Sequence, residues 1–331
     1  MKILKSQMKK NKYFIVSDIH SYLDELLSAL SVTEFDLKNP NHILIINGDV
    51  FDRGHQTVAL YKWLKEFSQD RLILIHGNHD ELLFDMLNSN NYPEYWQFNN
   101  GTVKTICAMA LMNDEQADDE EEFLNNSHKQ GYGFYDYHYI TPDGTSRWNQ
   151  IKELALESEI YKWMKSDIWH NYVELGDYII THSFIPVKIN KKYQDQANSV
   201  IYYAHTELMK PMIDWRKADQ EIWFQSMWGR PLMQFNDGLF NKEIAKNKTL
   251  VVGHYGTANM RYDEGLGKID GATHTIFART NFIAIDATTA ASHSVNVLLI
   301  DGKIGKATDA KYGELIYEKE PLKIDTVTLE K

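Results

Sequence analysis

Cysteine is nearly absent from this chain: Cys107 is the only one among 331 residues. A single cysteine cannot form a disulfide within the chain, and it offers no cluster of thiolates to a metal ion. We therefore expect a cytoplasmic location. Any metal site should be built from oxygen and nitrogen ligands.

Long apolar runs and an excess of basic residues are also missing. No segment approaches the roughly 18 consecutive apolar residues of a membrane span, and the basic start at residues 1–12 leads into YFIVSD without the apolar core of a signal peptide. The net charge of −11 disfavours binding to a nucleic-acid backbone, which usually needs a basic face. We expect neither membrane nor nucleic acid among the partners.

No linker rich in proline, glycine or serine and no repeat divides the chain, and 43% of its residues are hydrophobic, enough for a large core. We expect a single domain over residues 1–331. Residues of about 85–175 should form a largely helical insertion that covers one side of the functional site.

Short apolar, β-branched runs predict five buried strands, at residues 13–16, 43–46, 72–75, 178–180 and 250–252. Helical patterns lie between the first three, and the first of them has Leu23, Leu26, Leu27 and Leu30 at helical spacing. This alternation predicts a parallel sheet covered by helices. The closing segment, residues 281–304, predicts alternating strands that add a second sheet packed on the first.

Polar side chains follow every one of these strands. They are Asp18 and His20, then Asp49, Asp52 and Arg53, then Asn78 and His79, then His182, and finally His254. Ligand sites of open α/β sheets form outside the carboxyl ends of the strands. We therefore expect these side chains to meet at one edge of the sheet.

Carboxylate, imidazole and amide ligands suit manganese, iron or zinc better than calcium. Two cations about 3.5–4 Å apart can share one carboxylate and one hydroxide, and Asp49 is the natural bridge. Taken alone, a histidine after a strand is more often structural, and Asn78 could be a turn residue. Asp49 could also cap a helix, but that leaves the flanking Gly48 and Gly54 unexplained.

The sequence resembles the calcineurin-like metallophosphoesterases over roughly residues 13–300. The motifs that carry the resemblance are Asp18-x-His20, GDVFDRG at 48–54, GNHD at 77–80, His182 and Gly253-His254. The DRG element is most similar to the phosphoprotein phosphatase branch, and in particular to its bacterial and phage serine/threonine phosphatases. Residues 96–105, the MWGRP segment at 227–231 and the closing strands are similar to further elements of those members.

This resemblance implies an α/β fold with two packed mixed sheets, a ββ sandwich flanked by helices. It implies two divalent metal ions, Mn²⁺ first with Fe or Zn as alternatives. Asp18, His20 and Asp49 would hold one ion, and Asp49, Asn78, His182 and His254 the other. His79 would be the general acid, oriented by Asp52, while Arg53 and Arg230 would hold phosphate oxygens.

Several positions depart from the family pattern. Ser17 and Ser21 stand where the family usually has glycines, Asp80 replaces a glutamate, and Thr102 replaces a glycine. None of these changes removes a ligand or the proposed acid, so the chemistry should survive.

The expected function is hydrolysis of phosphate monoesters by direct attack of a hydroxide that bridges two metals. The substrates would be phosphoserine or phosphothreonine in proteins, or small phosphoesters. One alternative is a nucleotide or dinucleoside-polyphosphate hydrolase, in which the aromatic cluster at residues 132–139 could stack a base. Another is a non-catalytic metal-binding scaffold, which predicts loss of His79 or of a ligand; the sequence retains all of them.

Overall fold

The structure is a computed structural model that describes residues 1–130, 142–266, 274–315 and 317. Its strands are β1 (Lys2–Ile3), β2 (Lys12–Val16), β3 (His42–Asn47), β4 (Leu72–Ile75), β5 (Trp169–His170), β6 (Val173–Leu175), β7 (Tyr178–Thr181), β8 (Val187–Ile189), β9 (Met209–Pro211), β10 (Thr249–Val252), β11 (Phe277–Arg279), β12 (Phe282–Ala284), β13 (Leu298–Asp301) and β14 (Lys306–Asp309). The predicted aromatic cluster at residues 132–139 lies outside the described residues.

Two six-stranded sheets contain most of these strands. One has the order β14-β13-β2-β3-β4-β5 and the other the order β1-β6-β7-β10-β12-β11, while β8 and β9 form a separate hairpin. Strands β2 to β5 run parallel to one another, as do β7, β10 and β12, and antiparallel pairs occur toward the edges of both sheets. Both sheets are therefore mixed.

The period of two in a strand sends alternate side chains to opposite faces of each sheet. Ile15 and Ile45 of the first sheet pack with Ile180 and Val251 of the second, in a core that lies between the sheets. Their neighbours in sequence point the other way, into two further cores. Since both faces are buried, the central strands are apolar at nearly every position, as their sequences indicate.

Helices cover the outer faces of both sheets. They are α1 (Lys5–Met8), α2 (Leu23–Ser31), α3 (Thr57–Leu64), α4 (Asn78–Asn88), α5 (Tyr95–Asn99), α6 (Thr102–Leu111), α7 (Asp114–Gln130), α8 (Pro142–Glu157), α9 (Glu159–Met164), α10 (Ala197–Tyr202), α11 (Gln220–Ser226), α12 (Pro231–Asn236), α13 (Lys242–Ala245), α14 (Thr257–Asp263) and α15 (Thr289–Ser292). Helices α2 to α4 and α6 to α9 share a core with the outer face of β2–β4. On the second sheet, the outer core includes the buried Trp215 and Trp223.

The predicted α/β class, with two packed mixed sheets flanked by helices, is confirmed. The single parallel sheet expected for all five strands is wrong, because β2, β3 and β4 lie in one sheet and β7 and β10 in the other. Continuous apolar runs cannot distinguish the two arrangements, since both bury the strands completely.

The closing segment differs from the sequence prediction, and the burial of α2 adds a detail to it. The closing segment does not form a second sheet by itself: β12 pairs with β10 in one sheet, and β13 pairs with β2 in the other. In α2, Leu27 is exposed while Leu23, Leu26 and Leu30 are buried.

The chain between β4 and β5 is helical where it is described, from α4 to α9. That it is an insertion within a single domain and covers the functional site stays a prediction. None of the helices among residues 1–130, 142–266 and 274–315 has the length and apolar character needed to cross a membrane.

Candidate metal centre

Five loops at the carboxyl ends of strands bring the predicted polar residues together. Asp18 and His20 follow β2, Asp49 follows β3, Asn78 begins α4 just after β4, His182 follows β7 and His254 follows β10. All six side chains are buried except that of His254, which is partly exposed. The loops come from both sheets, so the site lies at one end of the sandwich.

Asp49 occupies the middle of this group. Its Oδ2 lies 3.6 Å from Nε2 of His20, and its Oδ1 lies 3.4 Å from Nε2 of His182. Oδ1 also accepts a hydrogen bond of 3.0 Å from the backbone N–H of His79. One carboxylate therefore faces a different histidine with each of its two oxygens.

Asn78 joins the two histidines that come from the second sheet. Its Oδ1 lies 2.9 Å from Nε2 of His182 and 2.9 Å from Nδ1 of His254. On the opposite side, Oδ2 of Asp18 accepts the backbone N–H of His254 at 3.0 Å. Asn78 thus presents its amide oxygen as a ligand would, rather than serving only as a turn residue.

The rings of His20 and His182 each form a hydrogen bond on the side that points away from Asp49. These bonds fix which ring nitrogen faces Asp49. Nδ1 of His20 lies 3.0 Å from the carbonyl oxygen of Phe51, and Nδ1 of His182 lies 3.0 Å from that of Asn47. A carbonyl only accepts, so each Nδ1 donates, and Nε2 of each ring is left on the side of Asp49 as the nitrogen available to a cation. This is the usual outer support of metal-binding histidines.

The backbone at the site is held in a conformation that L-residues rarely adopt. Positive φ angles between 52° and 73° occur at Asp18, His20, Asp49, Asp52, Arg53 and His254. Such left-handed residues cost energy and concentrate at functional sites. Asp tolerates this region better than most residues.

Protonation states in the site favour cation binding. Although burial alone raises the pKa of Asp49, the surrounding histidines, His182 first, hold it well below its usual value. Burial lowers the pKa of His254 to about 3, and burial together with the nearby Arg53 lowers that of His20 well below its usual value. Ionised carboxylate and neutral imidazole are the forms that coordinate a metal.

Asp18 is the exception, because burial raises its pKa to about 6, with the Asp49 charge adding to the effect. Two carboxylates close together without a cation between them repel each other. A bound divalent cation would remove that repulsion, and Asp18 already receives hydrogen bonds from the Ser17 hydroxyl and the His254 N–H.

The donor set fits metal binding. Among the described residues, the ligand atoms of Asp49, His182 and His254 lie within 4.8 Å of one another, and so do those of His20, Asp49 and His79. Both ring nitrogens of His79 are already engaged, with Asp52 and Arg53. This favours the nearby Asp18 carboxylate over His79 as the third ligand beside His20 and Asp49.

His79 and Asp52 form a buried pair beside the candidate metal ligands. Nδ1 of His79 lies 3.0 Å from Oδ2 of Asp52, and Nε2 lies 3.0 Å from Nη2 of Arg53. Burial alone would lower the pKa of His79, but the carboxylates of Asp49 and Asp52 outweigh it and raise the pKa above its usual value. His79 can therefore carry a proton that Asp52 keeps oriented.

A cleft of about 330 Å³ opens onto these residues. It is lined by the two predicted phosphate-binding arginines, Arg53 and Arg230, and the Arg230 guanidinium lies 5.5 Å from the centre of the Tyr255 ring. Sequence reasoning missed several other lining residues, which are Asn100, Tyr202, Tyr255, Asn259, Asp286 and Thr288. Asp286 was detectable, since it stands two residues after the end of an apolar strand, as Asp18 does.

The loop that carries Asp49 is held by a second carboxylate. Asp80 accepts backbone hydrogen bonds from Gly77 at 2.9 Å, Asp49 at 3.0 Å and Val50 at 3.2 Å. The family usually has a glutamate at this position. The side chain of Asp80 is shorter than that of a glutamate, but it still reaches these three amides. The tight packing leaves no room above Gly77, where an added Cβ would lie 2.1 Å from Oδ1 of Asp49.

Gly77→Ala is expected to push Asp49 out of place, lowering metal affinity and reducing the free energy of unfolding by about 1–3 kcal/mol, as overpacking usually does. Thermal unfolding and calorimetric Mn²⁺ titration would measure both effects. Gly305→Ala is the control for Mn²⁺ affinity: an added Cβ there meets nothing within 4 Å, and the φ of 67° at Gly305 makes this variant lose stability through backbone strain instead of through a clash with Asp49. Equal Mn²⁺ affinity in the two variants would contradict the expectation.

Comparison with known proteins gives a family and one curated relative. The profile of the Calcineurin-like phosphoesterase family matches residues 12–265. Shewanella-like protein phosphatase 1 of Plasmodium berghei (strain Anka) is 34% identical over 82 residues, which is 22% of this chain and 23% of that protein. The match thus spans about a quarter of the length of the relative, and it supports the resemblance to the phosphoprotein phosphatase branch.

Among solved structures, the cold-active protein-tyrosine phosphatase of a psychrophile Shewanella sp. is 15% identical, with a TM-score of 0.43, over 93% of this chain and 81% of that one. A protein serine/threonine phosphatase from Saccharomyces cerevisiae is 12% identical, with a TM-score of 0.44, over 97% of this chain and 85% of that one.

Proposed function

The chain belongs to the calcineurin-like phosphoesterase family, and on that basis we propose that it is a metal-dependent phosphatase that hydrolyses phosphate monoesters. Phosphoserine and phosphothreonine in proteins are the proposed substrates, and small phosphoesters would serve as well. The match with a Shewanella-like protein phosphatase supports this choice within the family.

A single observation carries the proposal. The Asp49 carboxylate lies between His20 on one oxygen and His182 on the other, at 3.6 and 3.4 Å. A carboxylate in this position can bridge two cations, each completed by its own set of buried ligands.

The ligands divide into two sets around Asp49. We assign Asp18, His20 and Asp49 to one cation and Asp49, Asn78, His182 and His254 to the other. When bound, two divalent cations activate water at neutral pH and neutralise charge on the phosphate oxygens. The protein contributes by holding the ligands in place before binding, through the Phe51 and Asn47 carbonyls behind His20 and His182.

His79 is the proposed general acid for the leaving oxygen. In the structure, Arg53 Nη2 lies 3.0 Å from Nε2 of His79, and a guanidinium can only donate, so this Nε2 carries no proton. We infer that a bound phosphate draws Arg53 away toward its oxygens, together with Arg230. Nε2 can then take up a proton from solvent and give it to the leaving oxygen, while the Asp52 carboxylate holds the Nδ1–H in place.

The remaining assignments extend this proposal. We infer Mn²⁺ as the cation used, with Fe or Zn as alternatives, because the ligands are oxygen and nitrogen atoms without a thiolate. A cytoplasmic location fits the single buried Cys107. The net charge of −11 fits partners other than a nucleic-acid backbone.

Removal of metal is the experiment that tests this function. Protein stripped with a chelator should not hydrolyse p-nitrophenyl phosphate, and added Mn²⁺ should restore the rate. Metal analysis of the restored protein should give two ions per chain. Hydrolysis that does not depend on metal, or a chain that binds none, would contradict the proposal.

The substrate class needs a second comparison, because a dinucleoside polyphosphate is the main alternative. Tyr202, Trp228 and Tyr255 line the cleft and could stack a base. We expect the Mn²⁺ enzyme to have a higher kcat/KM for a phosphothreonine peptide than for a dinucleoside polyphosphate. The reverse order would assign the site to nucleotides.

A further inference from the structure

The start of helix α6 lies directly against the turn that carries Asp52 and Arg53. Gly101, which precedes the helix, has a φ of 82°, and a Cβ added there would lie 2.1 Å from the backbone nitrogen of Arg53. This close approach places the first turn of α6 next to Asp52. Thr102 and Thr105, on that turn, are both buried.

The hydroxyl groups of both threonines form hydrogen bonds with Asp52. Thr102 Oγ1 donates to Oδ2 of Asp52 at 2.7 Å, and the backbone N–H of Asp52 donates to Oγ1 of Thr105 at 3.1 Å. A threonine at a helix start usually bonds to a nearby backbone group. Thr102 instead reaches a residue 50 positions away in sequence.

The oxygen that accepts from Thr102 is the one that faces the proposed acid, since Oδ2 of Asp52 also lies 3.0 Å from Nδ1 of His79. Within the described part of the chain, the other carboxylate oxygen, Oδ1, is buried without a hydrogen-bond partner. The Asp52 carboxylate is therefore held by two donors, His79 and Thr102, both on one oxygen. Without the Thr102 hydroxyl, only His79 itself would fix the carboxylate that is meant to orient it.

We propose that Thr102 is a positioning residue for the Asp52–His79 pair, a role that rests on the proposed phosphatase function. Its hydroxyl sets the rotation of the Asp52 carboxylate, so that Oδ2 stays in line with Nδ1 of His79. Small misplacements of a catalytic group can lower the rate by up to about 10²-fold. The family pattern has a glycine here, so this chain carries an additional support for its acid.

Thr102→Val tests the role because it keeps the shape of the side chain and removes the hydroxyl. With a phosphothreonine peptide and saturating Mn²⁺, we expect kcat to fall about tenfold, the usual worth of a hydrogen bond to a charged group, while KM stays unchanged. Thr102→Ser, which restores the hydroxyl, should recover most of the rate. A rate in Thr102→Val equal to that of the wild type would overturn the proposal.

A double-mutant cycle separates positioning from general loss of packing. In an Asp52→Asn background, Thr102→Val should cause little further loss, because the carboxylate that it positions is already gone. If the two losses multiply, Thr102 acts independently of Asp52 and the proposal is wrong.

Thr57→Val is the matched control. Thr57 is also the buried first residue of a helix, α3, and its hydroxyl pairs with Ser21 Oγ at 2.9 Å; in the described part of the chain, no hydrogen bond joins it to Asp52. It should lose thermal stability as Thr102→Val does, but keep its kcat. An equal fall of kcat in both variants would show that Thr102 has only a structural role.

The Nδ1–H proton signal of His79 in NMR spectra provides a test that does not depend on turnover. It should shift in Thr102→Val and return in Thr102→Ser, even if the wild-type protein hydrolyses no phosphoester. An inactive wild type would contradict the proposed function, whereas an unmoved signal would contradict the role of Thr102.

Discussion

Asp49→Asn is expected to abolish metal-dependent hydrolysis, with a loss in kcat/KM for p-nitrophenyl phosphate of more than the ~100-fold that changes behind the ligands of a metal site can cause. The reason is that Asp49 is the one residue shared by both proposed cation sites. Its two oxygens face His20 and His182 at 3.6 and 3.4 Å. An amide keeps the shape but has only one oxygen and no charge, so neither cation keeps its full set of ligands.

The effect of Asp49→Asn on Mn²⁺ binding can be measured without catalysis. A ligand that binds only the folded state raises the unfolding temperature, and the rise increases with the ratio of the ligand concentration to its Kd. Mn²⁺ should therefore raise the Tm of the wild type and leave that of Asp49→Asn nearly unchanged. Metal analysis should show fewer than two ions per chain in the variant.

Asp177→Asn is a suitable control for Asp49→Asn. Asp177 is an exposed carboxylate that pairs with Lys5 at the opposite end of β7 from His182, and its replacement should leave both the Mn²⁺-dependent rise in Tm and the activity intact. If Asp49→Asn retained two ions and a wild-type rate, the bridging role would be wrong. The assignment of all the other ligands would then need revision, because it is built around Asp49.

The composition of the site could be anticipated from the sequence, because each predicted ligand stands within four residues of the end of a run of apolar, β-branched residues. The structure brings these loop residues within a few ångströms of one another, as expected for the carboxyl ends of parallel strands. Their roles as ligands, acid and phosphate-binding groups remain predictions. The location of the strands was predictable for the same physical reason, since buried strands need apolar side chains on both faces.

The division of strands between two sheets was not predictable from the same patterns. Strands β2 and β7 are both apolar at nearly every position, and nothing local records that one pairs with β3 and the other with β10. Likewise, the contact between Thr102 and Asp52 joins residues 50 positions apart. Pairings of this kind depend on the packing of the whole chain, whereas the periodicity of a segment reports only its own burial.

His79→Asn should lower kcat by about 10²–10⁴-fold for a phosphothreonine peptide, while the number of bound metal ions and KM stay close to the wild-type values. His79 is not needed as a ligand if Asp18 completes the first cation site, so the variant should still bind two ions. His205→Asn, which replaces an exposed histidine, is the control and should have no effect. An unchanged kcat in His79→Asn would remove the residue from the acid role.

The identity of the leaving group sharpens this test of His79. A threonine alkoxide is strongly basic and needs a proton as it leaves, whereas p-nitrophenolate leaves readily without one. The loss in His79→Asn should therefore be much smaller for p-nitrophenyl phosphate than for the peptide, and equal losses would indicate that His79 acts by binding.

The Asp52 carboxylate, 3.0 Å from Nδ1, is one of the charges that raise the pKa of His79. In Asp52→Asn, the alkaline limb of the kcat profile for the peptide should accordingly move to lower pH, because the acid loses its proton earlier.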